Sequence, residues 1–232
     1  MLITQKFWKW SSFKNVKLRR RSVQGLMILL LKMCFIFGQQ KVIVLDPGHG
    51  GTDSGAIGIN NVLEKDVVLN VAKEIVVLNN TLFDDKFDIY STRYTDTLTS
   101  LNDRGRLARA LNADVFVSLH CNHSDNPNAR GVEIYVSNWN TNYFEKAVWL
   151  AFNLQKDLNE KLGFETRGVK FANFQVIRET SDFMPSVLLE LGFLSNGDES
   201  NYFQNPDSYC FLALAILECL IKNLDCYERI GG

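Results

Sequence analysis

Short unbroken apolar runs alternate along this chain with longer stretches in which apolar residues recur every three or four positions. Lys41–Leu45 leads into Asp46, Pro47, Gly48, His49, Gly50 and Gly51. An apolar run of that length, closed by Pro and Gly, reads as a buried strand followed by a loop. Phe87–Ser91, Val115–Leu119, Val132–Val136 and Val187–Leu191 repeat the strand pattern, and Val169–Ile177 is mixed, read as one or two short strands. From Glu64 to Leu82, Val67, Val68, Val71, Ile75, Leu78 and Leu82 fall at helical spacing. Further helices are predicted from a Thr99 or Ser100 N-cap through Ala110, from Tyr143 to Leu162 and from Phe211 to Leu224. Asn112 is placed to close the first of these and Pro206 to start the last.

Strands alternating with helices predict an α/β fold: a single domain with a mostly parallel or mixed twisted sheet of about six strands flanked by helices. There is no internal repeat, low-complexity tract or Ser/Pro linker to divide it.

Charge changes the picture at the N-terminus. The chain has 232 residues and a formal net charge of -1. Residues 1–38 hold eight of the 25 basic residues and none of the 26 acidic ones, so residues 39–232 carry a net charge of -9. An acidic body argues against a nucleic-acid partner. Basic residues ending at Arg21, an apolar stretch from Gly25 to Phe37 and a small residue at Gly38 have the layout of a secretory signal peptide or N-terminal membrane-targeting segment, residues 1–38. Lys32 interrupts the apolar run, and the alternatives are a buried core helix or a start codon assigned upstream of the true one. The run is well short of the ~20 residues a bilayer span needs. The expectation is therefore an exported protein with no stable membrane span in the mature chain. It is placed in the periplasm, with the cell wall, the extracellular space or tethering by an uncleaved signal as alternatives. The five cysteines contain no CxxC pair, and with Cys34 set aside the other four, Cys121, Cys210, Cys219 and Cys226, read as buried free thiols.

Candidate chemistry gathers at strand ends. His49 follows the first strand and His120 ends the third. In open α/β sheets, ligands bind outside the carboxyl ends of the strands. Each histidine alone is an ordinary structural residue; two at such ends, one in a Gly-rich loop, suggest a shared site. Two imidazoles with a carboxylate make an open zinc site. Glu64, in the first turn of the following helix, is the candidate third ligand; its alternative role is to stabilise the helix dipole. His123 lies past the strand end and is expected to be solvent-exposed or peripheral. Glu190 stands inside the apolar run VLLELGFL. It either pairs with a cation or works at the open end of the strand, where a Glu beside a metal suits general base and acid catalysis. Cys121 adjoins His120, so on a strand it points to the opposite face. No dinucleotide fingerprint, GKS/GKT or GxSxG motif is present.

Several segments in order resemble one family. LDPGHGGTDSGAIG, LEKD, STRYTD, LNDRGRLARALNADVFVSLHCN, RGVEIYV, RGVKFANFQVIRE and MPSVLLELGFLSN, from about residue 41 to the C-terminal helix, are similar to the zinc-dependent N-acetylmuramoyl-L-alanine amidases of the amidase-3 type. The resemblance implies a catalytic domain over residues 39–232. It implies one Zn²⁺ held by His49, Glu64 and His120, with Glu190 as the catalytic glutamate. It also implies hydrolysis of the amide between N-acetylmuramic acid and L-alanine in peptidoglycan. Arg178 could pair with a stem-peptide carboxylate, or instead with Glu179 or Glu190, and Asn122 could orient substrate. The interval Ser137–Phe174 has room for one helix and little else, so no self-inhibitory plug is expected. Without a wall-binding repeat, targeting is expected to come from a protein activator or targeting partner, or from the catalytic domain itself. The alternatives are a zinc peptidase cutting within the stem peptide and a catalytically inactive wall-binding or regulatory module.

Overall fold

Six strands form one mixed sheet in the computed structural model, which describes residues 40–230 and side chains through residue 224. The strands are β1 (Lys41–Pro47), β2 (Phe87–Ser91), β3 (Val115–Asn122), β4 (Val132–Ser137), β5 (Thr166–Ala172) and β6 (Ser186–Phe193), in the order β2-β1-β3-β6-β4-β5. All neighbours are parallel except β4 and β6. The helices among the described residues are α1 (Glu64–Leu82), α2 (Leu101–Ala110), α3 (Phe144–Leu162), α4 (Gln175–Thr180), α5 (Gly197–Gln204) and α6 (Pro206–Ile230). The 1–38 segment, with Cys34 in it, lies outside the described residues, as does the side chain of Cys226; Cys121 and Cys219 are buried free thiols as expected, whereas the free thiol Cys210 is only half-buried.

Alternation along the strands builds two cores. Ile43 and Leu45 of β1, Val115, Val117 and Leu119 of β3, and Val187 and Leu189 of β6 pack with the buried stripes of α1, α3 and α6. Val44, Phe116 and Leu188 face the other way, toward Ala108 of α2 and Val176 and Ile177 of α4. The sheet is thus covered on both faces, which parallel sheets require. Helix α3 fills the interval after β4, and its Leu150, Leu154 and Leu158 are fully buried in the larger core.

Local signals explain most of the boundaries. The Ser100 side chain accepts from the Asp103 N–H at the start of α2. Asn112 follows the end of that helix at φ +48°, in the left-handed region where Asn is tolerated. Pro206 is the first residue of α6, so that helix begins five residues before the predicted Phe211. The expectation for Val169–Ile177 needs correction: β5 ends at Ala172 and the remainder opens α4. Val176 and Ile177 are β-branched, but burial against the sheet outweighs their modest strand preference. Helix α5 was not predicted. Its sequence is mostly polar, and it is fixed by the Asn196 side chain accepting from the Asp198 and Glu199 N–H groups.

Candidate active site

Two arginines shape the loop that carries His49. The Arg93 Nε and Nη2 donate to the carbonyls of Pro47 at 3.0 Å and Gly48 at 2.8 Å. Buried Arg104 donates to the Pro47 carbonyl at 2.7 Å, to the His49 carbonyl at 2.8 Å and to Asp46 Oδ1 at 2.8 Å. Three successive carbonyls are thus turned toward guanidinium groups. His49 itself takes φ +57°. Gly48 admits no side chain: a Cβ there would lie 2.3 Å from the His120 ring. A Cβ at Gly55 would lie 2.5 Å from Glu64 Oε2 and 2.6 Å from His49 Cδ2. The glycines therefore let backbone approach the two histidines and Glu64 closely.

His49, Glu64 and His120 meet above the ends of β1 and β3. Glu64 Oε1 lies 3.1 Å from His49 Nε2 and 2.8 Å from His120 Nδ1, and it also accepts from the Cys121 N–H at 3.0 Å. One donor atom from each residue lies within 4.8 Å of the others, so this group can hold a metal ion. His123 is exposed and outside it. His49 Nδ1 is held by Asp53 at 2.8 Å, a carboxylate behind the imidazole that fixes ring orientation. Asp53 was not singled out in the sequence; an acid four residues after a loop histidine was the available signal. Burial disfavours charge on His49, but Glu64 and Asp53 outweigh it and raise its pKa to about 9. Burial likewise opposes ionisation of Glu64, and the two imidazoles reverse that, holding it well below the usual carboxylate range.

Glu190 stands beside this group. It is in register with His120 across β3 and β6, and with Glu133 across β6 and β4. Its Oε2 is buried without a hydrogen-bond partner among the described residues. Burial raises its pKa to about 7, opposed by His120 and reinforced by Glu64 and Glu133. Cys121 points into the larger core, where burial pushes its thiol up. A cleft of ≈ 600 Å³ opens on the site between Leu98, Leu101 and the two histidines.

The two remaining candidates lie differently. Asn122 donates to Glu133 Oε2 at 3.1 Å, and its own Oδ1 caps the His123 N–H. Arg178 does not follow a strand; it is exposed on α4 and bonded to Asn173 Oδ1 at 3.0 Å, while Glu179 pairs with Arg109 at 2.9 Å.

Fold and site together define a class: an α/β domain with a two-histidine, one-carboxylate metal-binding group beside a half-buried glutamate whose Oε2 is enclosed. Residues 43–222 match the N-acetylmuramoyl-L-alanine amidase family of the amidase-3 type, and the chain belongs to that family. It is 39% identical over 162 residues to N-acetylmuramoyl-L-alanine amidase LytC of Bacillus subtilis (strain 168), covering 69% of this chain and 31% of LytC. The chain thus spans about a third of that relative. The catalytic domain of CwlV, an N-acetylmuramoyl-L-alanine amidase from Bacillus (Paenibacillus) polymyxa var. colistinus, superposes with a TM-score of 0.71 at 35% identity, covering 80% of this chain and 98% of that one. The CwlD amidase of Clostridioides difficile, solved in complex with the GerS lipoprotein, superposes with a TM-score of 0.71 at 25% identity, covering 80% of this chain and 99% of CwlD.

Proposed function

We propose that the protein is a zinc-dependent hydrolase that cleaves the amide between N-acetylmuramic acid and L-alanine in peptidoglycan. The observation that carries this reading is the buried, unpartnered Oε2 of Glu190, in register with His120 of the metal-binding group. A carboxyl left without a partner in a largely buried setting is costly unless it has work to do. Family membership and the likeness to solved amidases support the substrate.

His49, Glu64 and His120 would hold the ion; two imidazoles and one carboxylate suit zinc, and the glycine-walled space around them admits it. Bound there, zinc supplies Lewis acidity, acidifying water and drawing electron density from the amide carbonyl. Asp53 keeps the His49 ring oriented. Glu190 takes the proton of the attacking water and returns it to the departing L-alanine nitrogen, a role that a pKa near 7 suits. Asn122 and Arg178 are secondary candidates, Asn122 for orienting substrate and exposed Arg178 for a carboxylate farther along the stem.

Peptidoglycan lies outside the cytoplasmic membrane, so the protein is read as exported, to the periplasm or cell wall, with residues 1–38 as the export segment and residues 39–232 as the catalytic domain. No helix among the described residues is long and apolar enough to cross a membrane. The CwlD–GerS complex supports a protein activator or targeting partner. The test is digestion of purified peptidoglycan with and without chelator, followed by mass analysis. Peptide-free glycan and new L-alanine amino termini are expected, abolished by chelator; cleavage within the stem peptide would refute the reading.

A further inference from the structure

Next to Glu190 lies a second charged group that the hydrolytic chemistry leaves unused. Glu133 is directly opposite Glu190 across the antiparallel β4–β6 pair, and such residues share a face of the sheet. Its carboxylate is buried, with a side-chain exposure of 3%. Oε1 accepts from Arg167 Nε and, at 2.7 Å, from Lys170 Nζ; Oε2 accepts from the Tyr135 hydroxyl at 2.7 Å and from Asn122 at 3.1 Å. Two cations thus share the Glu133 carboxylate, with the acid Glu190 directly opposite it.

The backbone is built to bring those cations together. Residues three apart on a regular strand point to opposite faces. Here Val132 pairs with Thr166 but Ile134 with Val169, so Arg167 and Gly168 both oppose Glu133. This bulge turns Arg167 and Lys170 toward one carboxylate; Gly168, at φ +91°, sits within it. Bulges re-aim side chains in this way beside active sites. Both side chains remain 37% exposed. The Arg167 Cζ lies 4.9 Å from the centre of the Phe193 ring and the Lys170 Nζ 5.9 Å from that of Tyr135, so the charged ends themselves rest over aromatic faces, and Arg167 Nη1 also donates to the Arg130 carbonyl at 3.4 Å.

We propose that Arg167 and Lys170, held by Glu133, form the subsite for a carboxylate on the stem peptide one residue beyond L-alanine. The inference rests on the amidase reading for the identity of that ligand. A γ-linked glutamate at the second stem position leaves its α-carboxylate free, and two peptide units reach about 7 Å from the scissile amide. From Glu190 on β6 to β5 is two strand spacings, about 10 Å, and the Arg and Lys side chains reach back over β4. The pair reads charge and orients the stem, so that the amide nitrogen falls at Glu190.

The test uses the full-length, zinc-loaded chain carrying Glu190→Gln, so that ligand is bound and not cut. It is titrated calorimetrically with N-acetylmuramoyl-L-alanyl-D-glutamate and with its α-carboxamide, the D-isoglutamine form. The carboxylate form is expected to bind about tenfold tighter, as charge-assisted hydrogen bonds to two cations imply. Adding Lys170→Gln should bring the two ligands to within about threefold, Lys170→Arg should keep the preference, and Glu133→Gln should widen it by freeing the cations. Equal affinities for the two ligands, no measurable binding of the carboxylate form, or a Lys170→Gln variant that weakens both alike would overturn the subsite. Thermal melting of each variant identifies loss of fold, and the Lys170→Arg rescue separates charge reading from scaffold support. Hydrolysis by the unsubstituted chain is measured in parallel: absence of cleavage alongside a retained carboxylate preference would strike the amidase reading and leave the subsite standing.

Discussion

At Glu190, a single side chain lies between the metal-binding group and the charged cluster on β4 and β5. Its neighbours in register are His120 on one side and Glu133 on the other, and its Oε2 makes no hydrogen bond among the described residues. Replacement by Gln keeps the volume and removes the exchangeable proton. Glu190→Gln should lower the turnover of peptidoglycan by about a thousandfold, within the range for loss of a general base and acid. Zinc content should stay at one ion per chain, because none of the three candidate ligands is touched. Activity within tenfold of the unsubstituted protein would remove Glu190 from the chemistry. This residue was legible in the sequence because a carboxylate inside VLLELGFL has no cheap structural explanation. Glu133 was not: it occupies the same kind of position in VEIYV, but its partners Arg167 and Lys170 come from a strand more than 30 residues away whose bulge no periodicity reveals.

Elements were legible in proportion to their burial. β1, β2, β3 and β6, together with α1 and α3, follow from apolar runs and helical spacing, because each presents a continuous face to one of the two cores. β5 is an edge strand whose residues are mostly exposed or half-buried, so it shows no alternation, and α5 is held by the Asn196 cap with Phe203 fully buried beneath it. The arginines that set the loop carrying His49 escaped for a different reason. Arg93 and Arg104 act through long side chains on carbonyls some 45 to 57 residues away. Their effect is testable as an element property. Arg104 and Asp46 are an almost wholly buried pair, with side-chain exposures of 2% and 1%. Arg104→Met leaves the buried Asp46 charge with only the Thr92 and Ser118 hydroxyls and removes the Arg104 donor to the His49 carbonyl, so unfolding free energy should drop by about 3–5 kcal/mol. The double variant Asp46→Asn, Arg104→Met should lose clearly less than the sum of the two single variants. Strict additivity in denaturant melts would mean the pair does not act as a unit.

For the whole molecule, the metal-binding group is also a clasp. His49 comes from the loop after β1, Glu64 from the first turn of α1 and His120 from the end of β3, so a single ion would tie together segments 56 residues apart between Glu64 and His120. An ion bound only by the folded chain stabilises it by mass action, about 2.7 kcal/mol at a free concentration one hundred times Kd. For a domain of this size that corresponds to a rise in Tm of about 5–10 °C. Zinc added to metal-free protein should produce that rise, chelator should reverse it, and magnesium, which prefers oxygen ligands, should not reproduce it. His120→Ala should abolish the zinc-dependent rise; a full shift in that variant would refute the ligand assignment. Melting is the informative measurement because it separates holding the ion from using it. Glu190→Gln should show the whole zinc-dependent shift with no hydrolysis, whereas His120→Ala should lose both. That pair of outcomes would assign His120 to holding the ion and Glu190 to moving the proton.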